Sequence, residues 1–179
     1  MASGDPGNER PMDVGANWGT TIASLLVGCA FMALWFWLLP PWLGFQVDPA
    51  QVALWRWIAA VPSVLGFAVA ARCIWDFGRT GRGTPVPLAP PQRLVVVGFY
   101  RYVRNPMYVG FFVGWVGLWV VFGRADWRAI AVTAVVVVGV NLFVRLYEEP
   151  TLRWMFGSDY EEYCRNVSRW VPRLHAWQK

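Results

Sequence analysis

The stretch that most constrains this chain is Gly98 to Gly110, Gly-Phe-Tyr-Arg-Tyr-Val-Arg-Asn-Pro-Met-Tyr-Val-Gly, where an arginine-bearing polar segment turns into a long apolar one. Asn105 before Pro106 predicts a helix start. The Asn side chain can accept from an orphan N–H of the first turn, and Pro at the first helical position loses nothing by lacking a donor. From Pro106 to Gly123 there is no charge, and after the turn Gly123 to Trp127 a second uncharged run follows, Ala129 to Val144. Two such runs joined by a short turn predict a helical hairpin that crosses a membrane and returns. The return carries Arg145 to Pro150 back to the surface from which Asn105 to Tyr108 departs.

Composition agrees with a membrane. Hydrophobic residues make up 56% of the 179, charged residues only 15%, and many of the 13 tryptophans stand near the ends of apolar runs, where an amphipathic ring prefers to sit. A net charge of +5 could signal nucleic acid, but the arginines cluster beside apolar runs and not along one polar face, so a membrane surface is the expected partner. Cysteines are odd in number, and Cys29 and Cys73 lie in or beside apolar runs, so no disulfide framework is implied. With Cys164 a free thiol and His175 the single histidine, no Cys/His metal site can be assembled.

The chain therefore divides into a disordered tail over residues 1–15 and one membrane domain over 16–179. No charge stands between Asp13 and Asp48, which gives a first span over about 18–40, ended by Pro40 and Pro41. A second span covers about 52–75, with Arg56 and Arg72 snorkelling to opposite faces. The hairpin supplies the third and fourth, about 106–123 and 128–146. Residues 76–105 form a polar connection rich in Gly and Pro, and 147–179 a polar tail, interrupted at Phe156-Gly157. Tyr160, Tyr163, Cys164 and Val167 recur at helical spacing, predicting an amphipathic helix that lies on the membrane surface. The connection carries Arg79, Arg82, Arg93, Arg101 and Arg104, and the tail is equally basic, whereas the opposite turns hold only Arg124 and Arg128. By the positive-inside rule both termini face the cytoplasm. Fifteen arginines against the one Lys179 suggest a GC-rich bacterial genome, and so a multi-pass protein of a bacterial inner membrane. The fold expected is an all-α polytopic bundle of about four membrane helices with a C-terminal amphipathic helix.

Two polar clusters can carry chemistry. Arg145 and Glu149 are four apart and share a helix face, with Glu148 about a quarter-turn away. They can be a mere surface ion pair, yet carboxylates at the edge of an apolar bundle are costly to desolvate unless used. Asn105 to Tyr108 can be no more than a well-capped helix start, but that leaves Tyr100, Tyr102 and Tyr108 gathered near the cap without explanation beyond an interfacial aromatic belt. Gly81-Arg82-Gly83 lacks the strand and helix of a nucleotide motif. Asn141, inside the fourth span, reads as an interhelical hydrogen-bonding residue.

Taken in order, Leu94-Val95, Gly98-x-Tyr100, Arg104-Asn105-Pro106-Met107-Tyr108-x-Gly110, Arg145-x-x-Glu148-Glu149, Phe156-Gly157-x-x-Tyr160-x-x-Tyr163 and Val171-Pro172 resemble the integral membrane methyltransferases related to isoprenylcysteine carboxyl methyltransferase and to phospholipid methyltransferases. The resemblance implies S-adenosylmethionine as cofactor, bound at the cytoplasmic mouth of the bundle by Gln92, Arg93, Leu94, Val95, Tyr100, Asn105, Pro106, Met107, Tyr108 and Glu149. It also implies that Arg145, Glu148 and Glu149 are catalytic, with Arg145 addressing a lipophilic acceptor: an isoprenylcysteine-like carboxylate, a lipid amine or a thiol. No metal is required. One departure stands out: carboxyl methyltransferases carry His where this chain has Asn105, and an amide cannot titrate. The reading from another class is a non-enzymatic membrane protein, a transporter subunit or scaffold, in which these charges only set topology and assembly.

Overall fold

The computed structural model describes residues 53–81, 93–123 and 126–178, with isolated helical residues at 19, 22, 26 and 30. The predicted disordered tail, the rest of the predicted first span and Gln92 lie outside the described residues. What is described is all-helical, without a strand.

Helix α1 (Ala60–Asp76) is preceded by a 3-10 turn over Leu54–Ala59 and followed by a π-turn over Phe77–Gly81. Arg56 and Arg72 sit near the two ends of this element. Arg56 packs against Gly123 and over the Trp55 ring, and Arg72 pairs with Asp76 at 3.0 Å. Helix α2 (Pro106–Val121) runs against α1 on a seam of small residues. A Cβ on Gly66 would stand 2.5 Å from the carbonyl oxygen of Gly110 and 2.5 Å from the backbone nitrogen of Gly114, so the two backbones touch with no side chain between them. Small residues four apart are what let membrane helices approach closely where burial from water provides no drive.

Helix α3 (Trp127–Phe143) starts on Asp126, whose Oδ1 accepts from the backbone N–H groups of Arg128 at 2.9 Å and Ala129 at 3.0 Å. The hairpin arms meet through large aromatics. Phe111, Trp115 and Trp119 stack along α2 and pack on Ala129, and the Trp115 indole donates to Thr133 Oγ1 at 3.1 Å. The outer side of α3 is exposed at Ile130, Val135, Val138 and Leu142, as a lipid-facing surface requires.

The helix does not stop at the predicted span end near residue 146. A π-turn over Val144–Glu148 leads straight into α4 (Glu149–Asn166). Gly157, at φ 49°, kinks α4 where the sequence placed its break. Leu54–Thr80 and Trp127–Asn166 are long and apolar enough to cross a membrane, while α2 is apolar but has 16 residues.

Three local expectations are corrected. Asn105 makes no side-chain cap for α2. Its Nδ2 donates instead to the carbonyl of Arg169 at 3.1 Å, because the C-terminal segment passes alongside. Arg145 and Glu149 do not share a face: the π-turn inserts an extra residue into the helical repeat, leaving Arg145 exposed while Glu149 turns inward. The apolar face of α4 is not free to lie on a membrane. Tyr160, Tyr163 and Val167 are buried against Leu94, Val96, Leu152, Phe156 and Trp177.

Candidate functional site

The site forms where three segments meet: the turn entering α2, the α3–α4 junction, and the C-terminal segment 167–178. The turn begins at Gly98, whose φ of 53° and close approach to the Asp76 carboxylate exclude a side chain. A 3-10 turn over Gly98–Arg101 then buries the Tyr100 ring against Cys73 and Val95. The C-terminal segment laces this turn down. Arg104 N–H donates to the carbonyl of Ser168, Arg173 N–H to that of Tyr102 and Trp177 N–H to that of Arg101, each at 2.9 Å. Tyr163 Oη donates to the Tyr100 carbonyl at 2.7 Å.

At the centre lies Glu149, 3% exposed. Arg169 holds it with a fork, Nε to Oε1 at 2.6 Å and Nη2 to Oε2 at 2.8 Å. Arg104 approaches Oε1 at 3.2 Å and Arg153 approaches Oε2 at 3.6 Å. Burial would raise this carboxyl, but the Arg169 hydrogen bonds and the charges of Arg104, Arg169 and Arg153 outweigh it and hold it below the ordinary carboxylate range.

Glu148 has the opposite environment. It stands beyond the uncharged run of α3, and its one side-chain hydrogen bond among the described residues comes from Tyr108 Oη, a long 3.4 Å to Oε2. Burial pushes its carboxyl up, the Tyr108 hydrogen bond pulls it partly back, and the neighbouring Glu149 charge raises it again, to about 7. Two adjacent carboxylates are thus made different: one is locked in an arginine cluster, the other is near half-protonated at neutral pH.

Phe77, Leu94, Val95, Tyr100, Arg104, Asn105, Val144, Glu148, Glu149, Leu152, Tyr160 and Tyr163 enclose a cavity of about 40 Å³. Of the residues selected from sequence, Leu94, Val95, Tyr100, Asn105, Glu148 and Glu149 are brought together in this wall. Tyr108 adjoins it through Glu148, and Met107 packs behind it on the Cys73, Val95 and Tyr100 cluster. Pro106 is buried in the start of α2. Arg93 and Arg145 are exposed and outside the wall.

Sequence reasoning missed Arg104, Tyr160 and Tyr163 as wall residues and Arg169 as the anchor of Glu149. Arg104 adjoins the Asn-Pro turn and was within reach of pattern reading. Arg169 lies 20 residues from its partner with no helical register linking them, and no local signal marks it.

Comparison with known proteins bears on the family of the chain. The sequence model of the family described as phospholipid methyltransferase matches residues 54–159. Methanethiol S-methyltransferase 1 of Bradyrhizobium diazoefficiens is 33% identical over 85 residues, covering 47% of this chain and 28% of that protein. A probable protein-S-isoprenylcysteine O-methyltransferase of Oryza sativa is 34% identical over 83 residues, covering 45% of this chain and 41% of that protein. The matched stretch spans less than half the length of either relative. No solved structure matches the chain.

Proposed function

Because the chain belongs to the phospholipid methyltransferase family, we propose that it is a membrane-embedded methyltransferase that uses S-adenosylmethionine on a lipophilic acceptor arriving from the bilayer. The carrying observation is the split between the two adjacent carboxylates. Glu149 is spent on three arginines, which leaves Glu148 as the acid facing the cavity.

The wall has the chemistry this cofactor needs. Phe77, Leu94, Val95 and Tyr100 offer an apolar and aromatic surface for an adenine, and Glu148 a carboxylate for a cationic sulfur. Arg104 Nε is buried without a hydrogen-bond partner among the described residues and can donate to the amino-acid carboxylate. At about 40 Å³ the cavity is smaller than the ~300 Å³ or more of ligand pockets in general, so binding requires the wall to part. The chemistry supplied by S-adenosylmethionine is a methyl group on a sulfonium.

The task of this chain's residues is then alignment and exclusion of water, which Tyr100, Tyr160 and Tyr163 perform by closing the cavity. Ionised Glu148 would stabilise the positive sulfur and, for an amine acceptor, take the proton. Arg145, exposed at the α3 end, would meet an anionic acceptor group with a planar fork. The relatives' names supply the two acceptor chemistries to test first, a small thiol and an isoprenylcysteine carboxylate. Four crossings, with 18–40 as the first and the site on the cytoplasmic side, complete the reading.

The test is transfer of labelled methyl groups. Membranes containing the protein should move label from S-adenosylmethionine into a volatile thioether or an extractable lipophilic product, and membranes containing Glu148→Gln should not. Equal labelling with and without the protein would refute the proposal.

A further inference from the structure

Tyr108, hydrogen-bonded to Glu148 of the cavity wall, has a second neighbour that is not part of that wall. The Trp170 ring lies edge-on to Tyr108, centroids 6.3 Å apart at 61°, and its indole N–H donates to Asn141 Oδ1 at 3.1 Å.

Asn141 is out of place in the apolar run of α3. An amide there is costly unless it is bonded, and its common use is to join two membrane helices. Here it bonds a residue of the C-terminal segment instead, and its two amide N–H donors have no partner among the described residues. Arg145, four residues on in the π-turn that follows α3, is exposed and has no ion pair among the described residues. Both groups donate hydrogen bonds, and neither lines the cavity. A ligand meeting them would present hydrogen-bond acceptors on an apolar body.

The adjacent Arg169 and Trp170 therefore have different partners: Arg169 fixes Glu149, while Trp170 covers Tyr108. Resting on the methyltransferase reading, we infer that Trp170 and Asn141 form the acceptor-side wall, Trp170 limiting the size of the acceptor that reaches Tyr108 and Glu148 and Asn141 hydrogen-bonding its carboxylate or equivalent group. Trp170 is then a specificity-determining residue.

The experiment compares two acceptor probes, ethanethiol and N-acetyl-S-farnesylcysteine, with labelled S-adenosylmethionine in detergent-purified protein. Trp170→Ala should shift the ratio of kcat/KM for the farnesylated probe to that for ethanethiol by about tenfold, the scale on which an apolar wall discriminates by size. Trp170→Phe, which keeps a smaller aromatic ring and loses the N–H, should shift it less and covers the case in which Trp170→Ala does not fold. Asn141→Leu should raise KM for the carboxylate probe by about tenfold with ethanethiol unaffected. KM for the cofactor should stay within about twofold throughout. An unchanged ratio in a folded Trp170 variant overturns the inference, as does a parallel loss of cofactor and both acceptors, which would mark a packing role. Methylation of neither probe by the wild type also overturns it, while saturable cofactor binding in the same preparation would leave the methyltransferase reading intact.

Discussion

Replacing Arg169 with Gln should destabilise the fold by about 2–3 kcal/mol, and the figure follows from the geometry around Glu149. Removing one partner of a buried pair costs about 3–5 kcal/mol when nothing else compensates the stranded charge. Here Arg104, with its side chain 11% exposed, remains 3.2 Å from Oε1, and Arg153, half exposed, remains 3.6 Å from Oε2. The first retains most of its attraction and the second is screened by solvent, so part of the loss is recovered. The Asn105 contact is to the residue-169 carbonyl and survives the substitution. Denaturation of the purified protein in detergent at pH 7 measures the effect, and a double-mutant cycle with Glu149→Gln isolates the pair, with an expected coupling of about 2 kcal/mol. The pH dependence adds a second check. Glu149 has its carboxyl held below the ordinary range in the folded protein, so its contribution is full above that range and is lost as pH falls through it. The wild-type and Arg169→Gln stabilities should therefore converge in acid. A loss under about 0.5 kcal/mol at pH 7, or a difference that does not shrink in acid, would refute this account of the arginine cluster.

Three further perturbations test other parts of the structure. Gly66→Val should separate α1 from α2, since the new side chain meets backbone atoms that cannot move aside, and should cost about 3 kcal/mol or prevent folding; a wild-type melting profile would contradict the close seam. Glu148→Gln should stabilise the protein at pH 8 by on the order of 2 kcal/mol, because a carboxyl raised to about 7 disfavours the fold increasingly as pH rises from the unfolded value through 7; at pH 4 the two proteins should melt alike. Asp126→Ala should cost about 1 kcal/mol through loss of the α3 cap, measured by the same denaturation, with no change in cofactor affinity.

Much of this was legible in the sequence because apolar length and Pro placement are local signals. The start of α2 at Pro106, the turn at Gly123, the kink at Gly157 and the meeting of the Asn-Pro turn with the acidic pair all follow from uncharged runs and their punctuation. What was not legible depends on contacts far apart in the chain. The π-turn over Val144–Glu148 reverses the relation of Arg145 to Glu149, and no composition rule marks a single inserted residue. The neighbouring Pro106 suggests a capping role for Asn105, whereas a carbonyl 64 residues away claims its amide. Tyr160 and Tyr163 showed helical spacing, but the spacing cannot say whether protein or lipid covers that face; Leu94 and Val96 cover it.

The most direct test of the central claim is an equilibrium titration of S-adenosylmethionine against the detergent-purified protein between pH 5 and pH 9, alongside Glu148→Gln. The account predicts saturable binding that strengthens as pH rises through about 7, where Glu148 ionises, and that is about tenfold weaker at pH 8 in Glu148→Gln, with the Glu148 step lost and only the titration of the cofactor's own amino group remaining. Absence of saturable binding, or binding that is indifferent to both pH and the Glu148 substitution, would contradict it.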